Sequence, residues 1–270
     1  MSHPPRLQVL VCTVASRIGA IDTSGYPEVD GVEYLVCCQN FDNSEISTVV
    51  ATLEARPDIR VKVFADQGLS VNRNHAFEIA EAPYVQVADD DISFCREGLQ
   101  RVIADFDADP DLDIITTRSE MPEPRVFPPD GHDLSIPYRY YHTISFEISI
   151  RRSALDTHAI RFSPLAGLGA PFLICGEEEL FMRHMLEAGM KGRFADTVLS
   201  VHRGLTTSAH SGAKPGALRA KGAVMRIVRG SAAAIVRYPA EAFRSPAPTF
   251  RALLWLLQGF VYSVRHRHQL

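Results

Sequence analysis

The sequence predicts an α/β fold: a mainly parallel sheet flanked by helices, with a basic helical extension at the C-terminal end. Three observations carry this expectation. Near-continuous apolar runs of strand length recur at Gln8–Val14, Tyr34–Cys38 and Tyr84–Ala88, as expected of strands buried on both faces. Stretches suited to helices separate them, giving the βαβ rhythm of a parallel sheet. The third run breaks into Asp89-Asp90-Asp91, and the carboxyl ends of strands are where open α/β sheets bind ligands.

Taken in order, Gln8–Val14 is the first strand rather than a signal-peptide core, because no small-residue cleavage site follows it. Tyr34–Cys38 is the second strand. Ser47–Ala55 forms a helix that Pro57 ends, and Ile59–Phe64 alternates as a third strand. An amphipathic segment through Ala76, Phe77, Ile79 and Ala80 leads into Tyr84–Ala88. A helix over Gly98–Phe106 and a strand over Leu112–Thr116 follow. Met121–Pro137 is rich in proline and reads as an irregular loop, a candidate flap. Thr143–Ile150 returns to strand alternation, and Ser163–Ala170 is a small-residue turn. Glu177–Ala188 is a helix closed by Gly189, and Thr197–His202 a last strand.

The chain has 270 residues, 46% hydrophobic and 22% charged, ordinary for a globular protein with one sizeable domain and an appendage. The net charge of −4 conceals an asymmetry. Residues 211–270 hold ten Lys/Arg and one acid, Glu241, against an excess of about thirteen negative charges over 1–210. Domains of 1–210 and 211–270 are therefore expected. The basic tail implies an anionic surface, while the acidic body argues against nucleic acid. On a helical wheel over 216–236, Arg219, Arg226 and Arg237 share one side, and Val224, Val228, Ala232 and Ile235 the other. Pro239 interrupts, and Phe250–Val264 forms a second apolar segment. These segments either lie in a membrane interface or pack on the domain. No run reaches the roughly 18–20 apolar residues of a spanning helix. The five cysteines are odd in number and lack metal-ligand spacing, so buried thiols in a reducing, cytoplasmic setting are expected.

The acid triplet alone could be a solvated turn. Its setting argues otherwise: Gly68-Leu69-Ser70 and Arg73-Asn74 precede an Asp-x-Asp by about fifteen residues. Gly176-Glu177-Glu178 and a late strand ending at His202 follow it. This order resembles the glycosyltransferase family 2 pattern over roughly residues 7–210. The resemblance implies a GT-A fold, Rossmann-like, and a hexosyltransferase-like enzyme moving a sugar from a nucleotide-sugar (UDP- or GDP-sugar) to a hydroxyl. A glycan or lipid-linked acceptor in surface polysaccharide or glycolipid synthesis follows, with a location in the cytoplasm or peripherally on the inner face of the membrane.

The resemblance also assigns roles. Asp91 is the expected direct ligand of Mn²⁺ or Mg²⁺, with Asp89 nearer the ribose or reaching the metal through water, and His202 completing the shell. Such a metal stabilises the departing diphosphate as a Lewis acid. Glu178 falls where the family carries its base, although Glu replaces Asp there and Glu179 leaves the register ambiguous; a single base implies inversion. An acidic helix start favoured by the macrodipole is the plain alternative. The nucleotide is expected against Thr13 and Val14. The family's Asp after the second strand is missing, since Cys38-Gln39-Asn40 stands there, making Gln39 or Asp66 the substitutes. Gly68, Arg73 and Asn74 lie toward the diphosphate, and Gly169 and Glu177 on the acceptor side. Two other readings remain open at this point: a sugar-phosphate nucleotidyltransferase, for which Ala15–Gly19 is a poor match, and a non-catalytic nucleotide-sugar-binding module.

Overall fold

Apolar continuity becomes burial. In the computed structural model, which describes residues 4–139, 141–204 and 214–270, β1 (Leu7–Val14) and β2 (Val32–Gln39) are buried almost throughout, and so is β4 (Tyr84–Asp89). They are central in an eight-stranded sheet of order β3-β2-β1-β4-β7-β6-β8-β5. The alternating run becomes β3 (Ile59–Phe64), an edge strand that faces solvent through Lys62 and Val63. β1 to β4 are mutually parallel, β7 (Ile148–Arg151) runs against β4, and β6 (Ile114–Glu120) against β7. β8 (Gly192–His202) is parallel to β6, and the short β5 (Ile92–Phe94) pairs against its end. Around the sheet run α1 (Ser47–Glu54), α2 (Leu69–Ile79), α3 (Arg96–Ala108), α4 (Arg152–Thr157) and α5 (Glu177–Glu187). Cys12, Cys37 and Cys38 are buried thiols, while Cys95 and Cys175 are half-buried; all five are free.

One expected strand is only partly a strand. Over 143–150 the chain first makes a 3₁₀ turn, Ser145–Glu147, because the Glu147 carboxylate folds back to accept from the Ile144 N–H at 3.3 Å. Extended pairing begins at Ile148.

The described residues gather into two compact units. One is drawn from Met1–Gln67, Asn72–Arg161 and His184–Gly204; the other from Gly68–Val71, Phe162–Arg183 and Leu205–Leu270. This grouping differs from a cut at residue 210, itself outside the described residues, because the tail helices pack on the 162–183 segment. Phe172 stacks on Tyr262 with centroids 4.5 Å apart, and the C-terminal Leu270 is buried with Ala166, Leu173 and Leu180.

Within the second unit the tail forms α6 (Pro215–Arg229), α7 (Ser231–Arg244) and α8 (Thr249–Arg265). The break falls at Gly230, whose φ of 84° lies in the left-handed region. Pro239 stays inside α7 on its exposed side, so it does not interrupt the tail as the sequence implied. The break also resets the helical wheel. Val228, Ala232 and Ile235 are exposed, and the buried side of α6 is Leu218, Ala220, Gly222, Ala223 and Met225. Arg219 and Arg226 turn inward: Arg219 bonds Gln258 at 2.9 Å, and Arg226 donates to the Ser263 carbonyl at 2.9 Å. Hydrogen-bonding geometry thus overrides the simple basic face.

α6 and α8 cross with their backbones in contact. A Cβ on Gly222 would stand 2.1 Å from the Leu256 carbonyl oxygen, and one on Gly259 1.8 Å from that of Arg219. Neither obstacle is a side chain that could swing away, so Gly259→Ala must push the helices apart. We expect a loss of about 1–3 kcal/mol or more in urea denaturation, against a change within about 0.5 kcal/mol for Gly19→Ala, which is exposed and whose added Cβ would meet only Val49 Cγ2 at 4.0 Å.

Candidate active site

The parallel register brings four strand ends to one edge. Val14 pairs with Gln39, Gln39 with Phe64, and Cys12 with Asp89. Asn72 of α2, buried, pins its helix there by donating to the carbonyls of Thr13 at 3.1 Å and Cys37 at 2.9 Å. Nothing in the sequence marks this role beyond a polar residue beside Arg73.

Each aspartate of the triplet has its own partners. Asp89 accepts from Arg73 at 2.8 Å and from the Ser145 hydroxyl at 3.1 Å. The Arg73 side chain is 2% exposed, so this guanidinium, expected toward a diphosphate, is directed onto Asp89. Asp90, to which the sequence assigned nothing, is the anchor of the group. It accepts from the Thr13 hydroxyl at 2.6 Å and from Arg17 Nε at 2.9 Å. Thr13 therefore stands in the site with its hydroxyl already committed. Asp91 is half exposed, 3.2 Å from Arg17 Nη2 and 3.6 Å from His202 Nε2. The pairing of Ile92 with His202 across β5 and β8 sets that proximity. Hydrogen bonding to Asp90 raises the Arg17 guanidinium further above its ordinary value. Arg17 escaped the sequence reading; the available signal was the need of three consecutive acids for a counter-charge.

The residues present can be tested against a divalent ion. Asp91 and His202 stand too far apart for a good hydrogen bond yet close enough to share a cation. His202 is nearly buried, and its Nδ1 meets no hydrogen-bond partner among the described residues. Among the described residues no three Asp, Glu, His or Cys side chains converge into a ready cage. Asp91 and His202 would hold the ion directly. Asp89, with both oxygens engaged, suits contact through water.

At the neighbouring strand ends, Gln39 donates to Asp66 at 2.9 Å, joining the two residues proposed as alternatives for the base. The other Asp66 oxygen meets His75 Nε2, and the imidazole stacks on Phe64 with centroids 4.5 Å apart. Burial pulls the His75 pKa down, but hydrogen bonding and the charge of Asp66 outweigh it and leave it raised. Asp66, despite its own burial, is lowered by His75 and Gln39. His75 was missed because a lone helical histidine carries no signal of its own. Val14 is half-buried at the end of β1, and Asn74 half-buried on α2.

The Met121–Pro137 segment is held by Arg125, which pairs with buried Glu147 and donates to the His142 carbonyl. Ser119 also donates to Glu147, at 2.7 Å. Burial drives the Glu147 carboxyl up to about 7, more than Arg125 and Ser119 bring it down.

The remaining predicted residues belong to the second unit. Leu69 N–H donates to the Leu168 carbonyl at 2.8 Å, and the Ser70 hydroxyl to that of Ala166 at 2.6 Å. The Gly68 turn and the Gly169 loop, with φ of 119° and 88°, are thereby joined. Buried Glu177 lies against Gly167, where a Cβ would meet its carboxylate at 3.3 Å. Glu177, Glu178 and Glu179 form the first turn of α5. Burial, with Glu177 adding, pushes the Glu179 carboxyl up to about 6. Burial and the same three acids drive the Cys175 thiol up to about 12. The field at this helix start is strongly negative, suited to holding or accepting a proton.

A curled, mostly parallel sheet with its acids at the carboxyl edge is the GT-A architecture, and solved structures agree. S. aureus TarS 1–349 superimposes with a TM-score of 0.61 at 15% identity, over 96% of this chain and 73% of that one. Its complex with UDP-GlcNAc gives 0.62 at 16%, over 97% and 74%. The mannosyltransferase PcManGT from Pyrobaculum calidifontis, in complex with GDP-Man and Mn²⁺, gives 0.56 at 14%, over 98% and 76%. No curated protein matches the sequence. Residues 41–168 match the family model "Glycosyl transferase family 2". This match, over just under half of the chain, together with the GT-A fold supports a glycosyltransferase.

Glu147 makes stability depend on pH. Its folded pKa lies above the ordinary 4.5, so the folded state binds the proton more tightly. Its contribution is full below about 4.5 and falls as pH rises toward about 7. Urea midpoints should decline across that window in the wild type, and Glu147→Gln should flatten the decline.

Proposed function

We propose that the chain is a metal-dependent, inverting glycosyltransferase that takes a sugar from a nucleotide-sugar, a UDP- or GDP-sugar, to a hydroxyl of a glycan or lipid-linked acceptor. Surface polysaccharide or glycolipid synthesis on the cytoplasmic side is the setting this implies. The observation that carries the reading is the Asp91–His202 pair at the strand edge, 3.6 Å apart beside Asp89. The UDP-GlcNAc complex of TarS and the GDP-Man and Mn²⁺ complex of PcManGT support the donor class and the ion.

Glu178 accepts the acceptor hydroxyl's proton. The acceptor oxygen forms its bond to the anomeric carbon as the bond to the diphosphate oxygen breaks, and the nucleoside diphosphate leaves. One displacement from the opposite face inverts the anomeric centre. A divalent ion held by Asp91 and His202 would supply Lewis-acid stabilisation of the diphosphate. Arg17 neutralises Asp90 and Asp91 from the protein side. Gln39, Asp66 and His75 offer a base-recognition group at the ends of β2 and β3, with Val14 and the Thr13 backbone beside it. Arg73 orders Asp89, while Gly68 and Asn74 remain candidates toward the diphosphate, and Gly169 and Glu177 toward the acceptor.

Thermal shift with UDP, GDP and their sugars, with and without Mn²⁺, tests donor and ion together. The expected result is stabilisation by one nucleotide class that requires Mn²⁺ and is abolished in Asp91→Ala. Unchanged binding and full transfer in that variant would defeat the metal assignment. Glu178→Gln should keep donor binding and lose transfer by about 10²–10⁴-fold. Binding without turnover in the wild type, unaltered by Glu178→Gln, would favour the non-catalytic module instead.

A further inference from the structure

α8 is apolar on two opposite sides. Ala252, Leu256, Gly259 and Ser263 turn inward. Phe250, Leu254, Leu257, Val261 and Val264 recur on the reverse side at the same three- and four-residue spacing, each 40–79% exposed. A helix apolar all round is normally covered on every side; here the outer stripe is open. α7 repeats the design: Ala234, Tyr238 and Ala242 are buried, while Val236 and Phe243 stand 77% and 80% exposed on the other side. Arginines border both stripes, Arg237 and Arg244 on α7 and Arg251 and Arg265 on α8, all exposed. The single acid of the tail, Glu241, is taken by Lys221 and Arg244. Arg237, Arg251 and Arg265 form no ion pair among the described residues.

We propose that this arginine-bordered apolar face docks on a bilayer surface carrying anionic headgroups. Its charge fits such a surface: apolar side chains enter the interface while guanidinium groups remain at the level of the phosphates. A nucleic acid would leave Phe243, Phe250 and Leu254 uncovered. A second copy would bring two strongly basic surfaces together. Among the described residues no helix is long and apolar enough to cross a membrane, and the proposed attachment is peripheral. It goes beyond the donor chemistry and does not depend on it.

Flotation of the full chain with phosphatidylcholine vesicles, with and without phosphatidylglycerol, tests this. Binding should require phosphatidylglycerol and weaken as salt rises. Combined Arg237→Ala, Arg251→Ala and Arg265→Ala should weaken partitioning on the order of a hundredfold. Leu254→Ser with Leu257→Ser should weaken it at every salt concentration. Both variants change exposed positions, and unchanged melting curves verify their folding. The proposal is overturned if the wild type stays unbound with anionic vesicles at low salt, or if both variants float as it does. It is equally overturned if sedimentation reveals a dimer that the leucine substitutions dissolve.

Discussion

Three aspartates in succession at the end of a buried strand repel one another, and the surroundings of that edge are arranged to compensate. Arg73 reaches Asp89 from a helix, and Arg17 reaches Asp90 and Asp91 from the loop after β1. Arg73 is the enclosed one of the two, and losing Asp89 would leave its guanidinium charged and desolvated. The arrangement therefore fixes α2, the β1 loop and β4 as one assembly. Asn72 reinforces it by satisfying two carbonyls at the same strand ends.

That constraint also separates the aspartates by task. Asp89 and Asp90 are spent largely inside the protein, while Asp91 keeps half its surface open beside His202. The outermost carboxylate is thus the one able to meet a ligand. Arg17 shares it, so a cation or phosphate arriving there competes with an existing contact rather than filling an indifferent surface.

The second unit follows a different rule. Its helices come into backbone contact at Gly222 and Gly259, beside a core of Leu218, Met225, Tyr238 and Leu256. Small residues let α6 and α8 approach closely, and the larger apolar residues are thereby left on the outside. The same helices that pack inward leave a wide apolar surface on their other side. Its acidic counterpart, the Glu177–Glu179 turn, draws its electrostatic character from burial of like charges at one helix start.

By itself the sequence determined the strands, because period and continuity of apolar residues report burial directly: β1, β3 and β4 lie where those patterns place them. It also carried the resemblance to glycosyltransferase family 2, through Asp89–Asp91, Gly68-Leu69-Ser70, Arg73-Asn74 and Gly176-Glu177-Glu178. Tertiary structure alone decided which polar groups meet. Asp90 finds Thr13 and Arg17 across more than seventy residues, and Gln39, Asp66 and His75 converge from two strand ends and a helix. Spacing along the chain carries no trace of such meetings. The tail was misread for the same reason: a helical wheel assumes one continuous helix, and Gly230 ended it, so the outward face was chosen by how closely two backbones could approach.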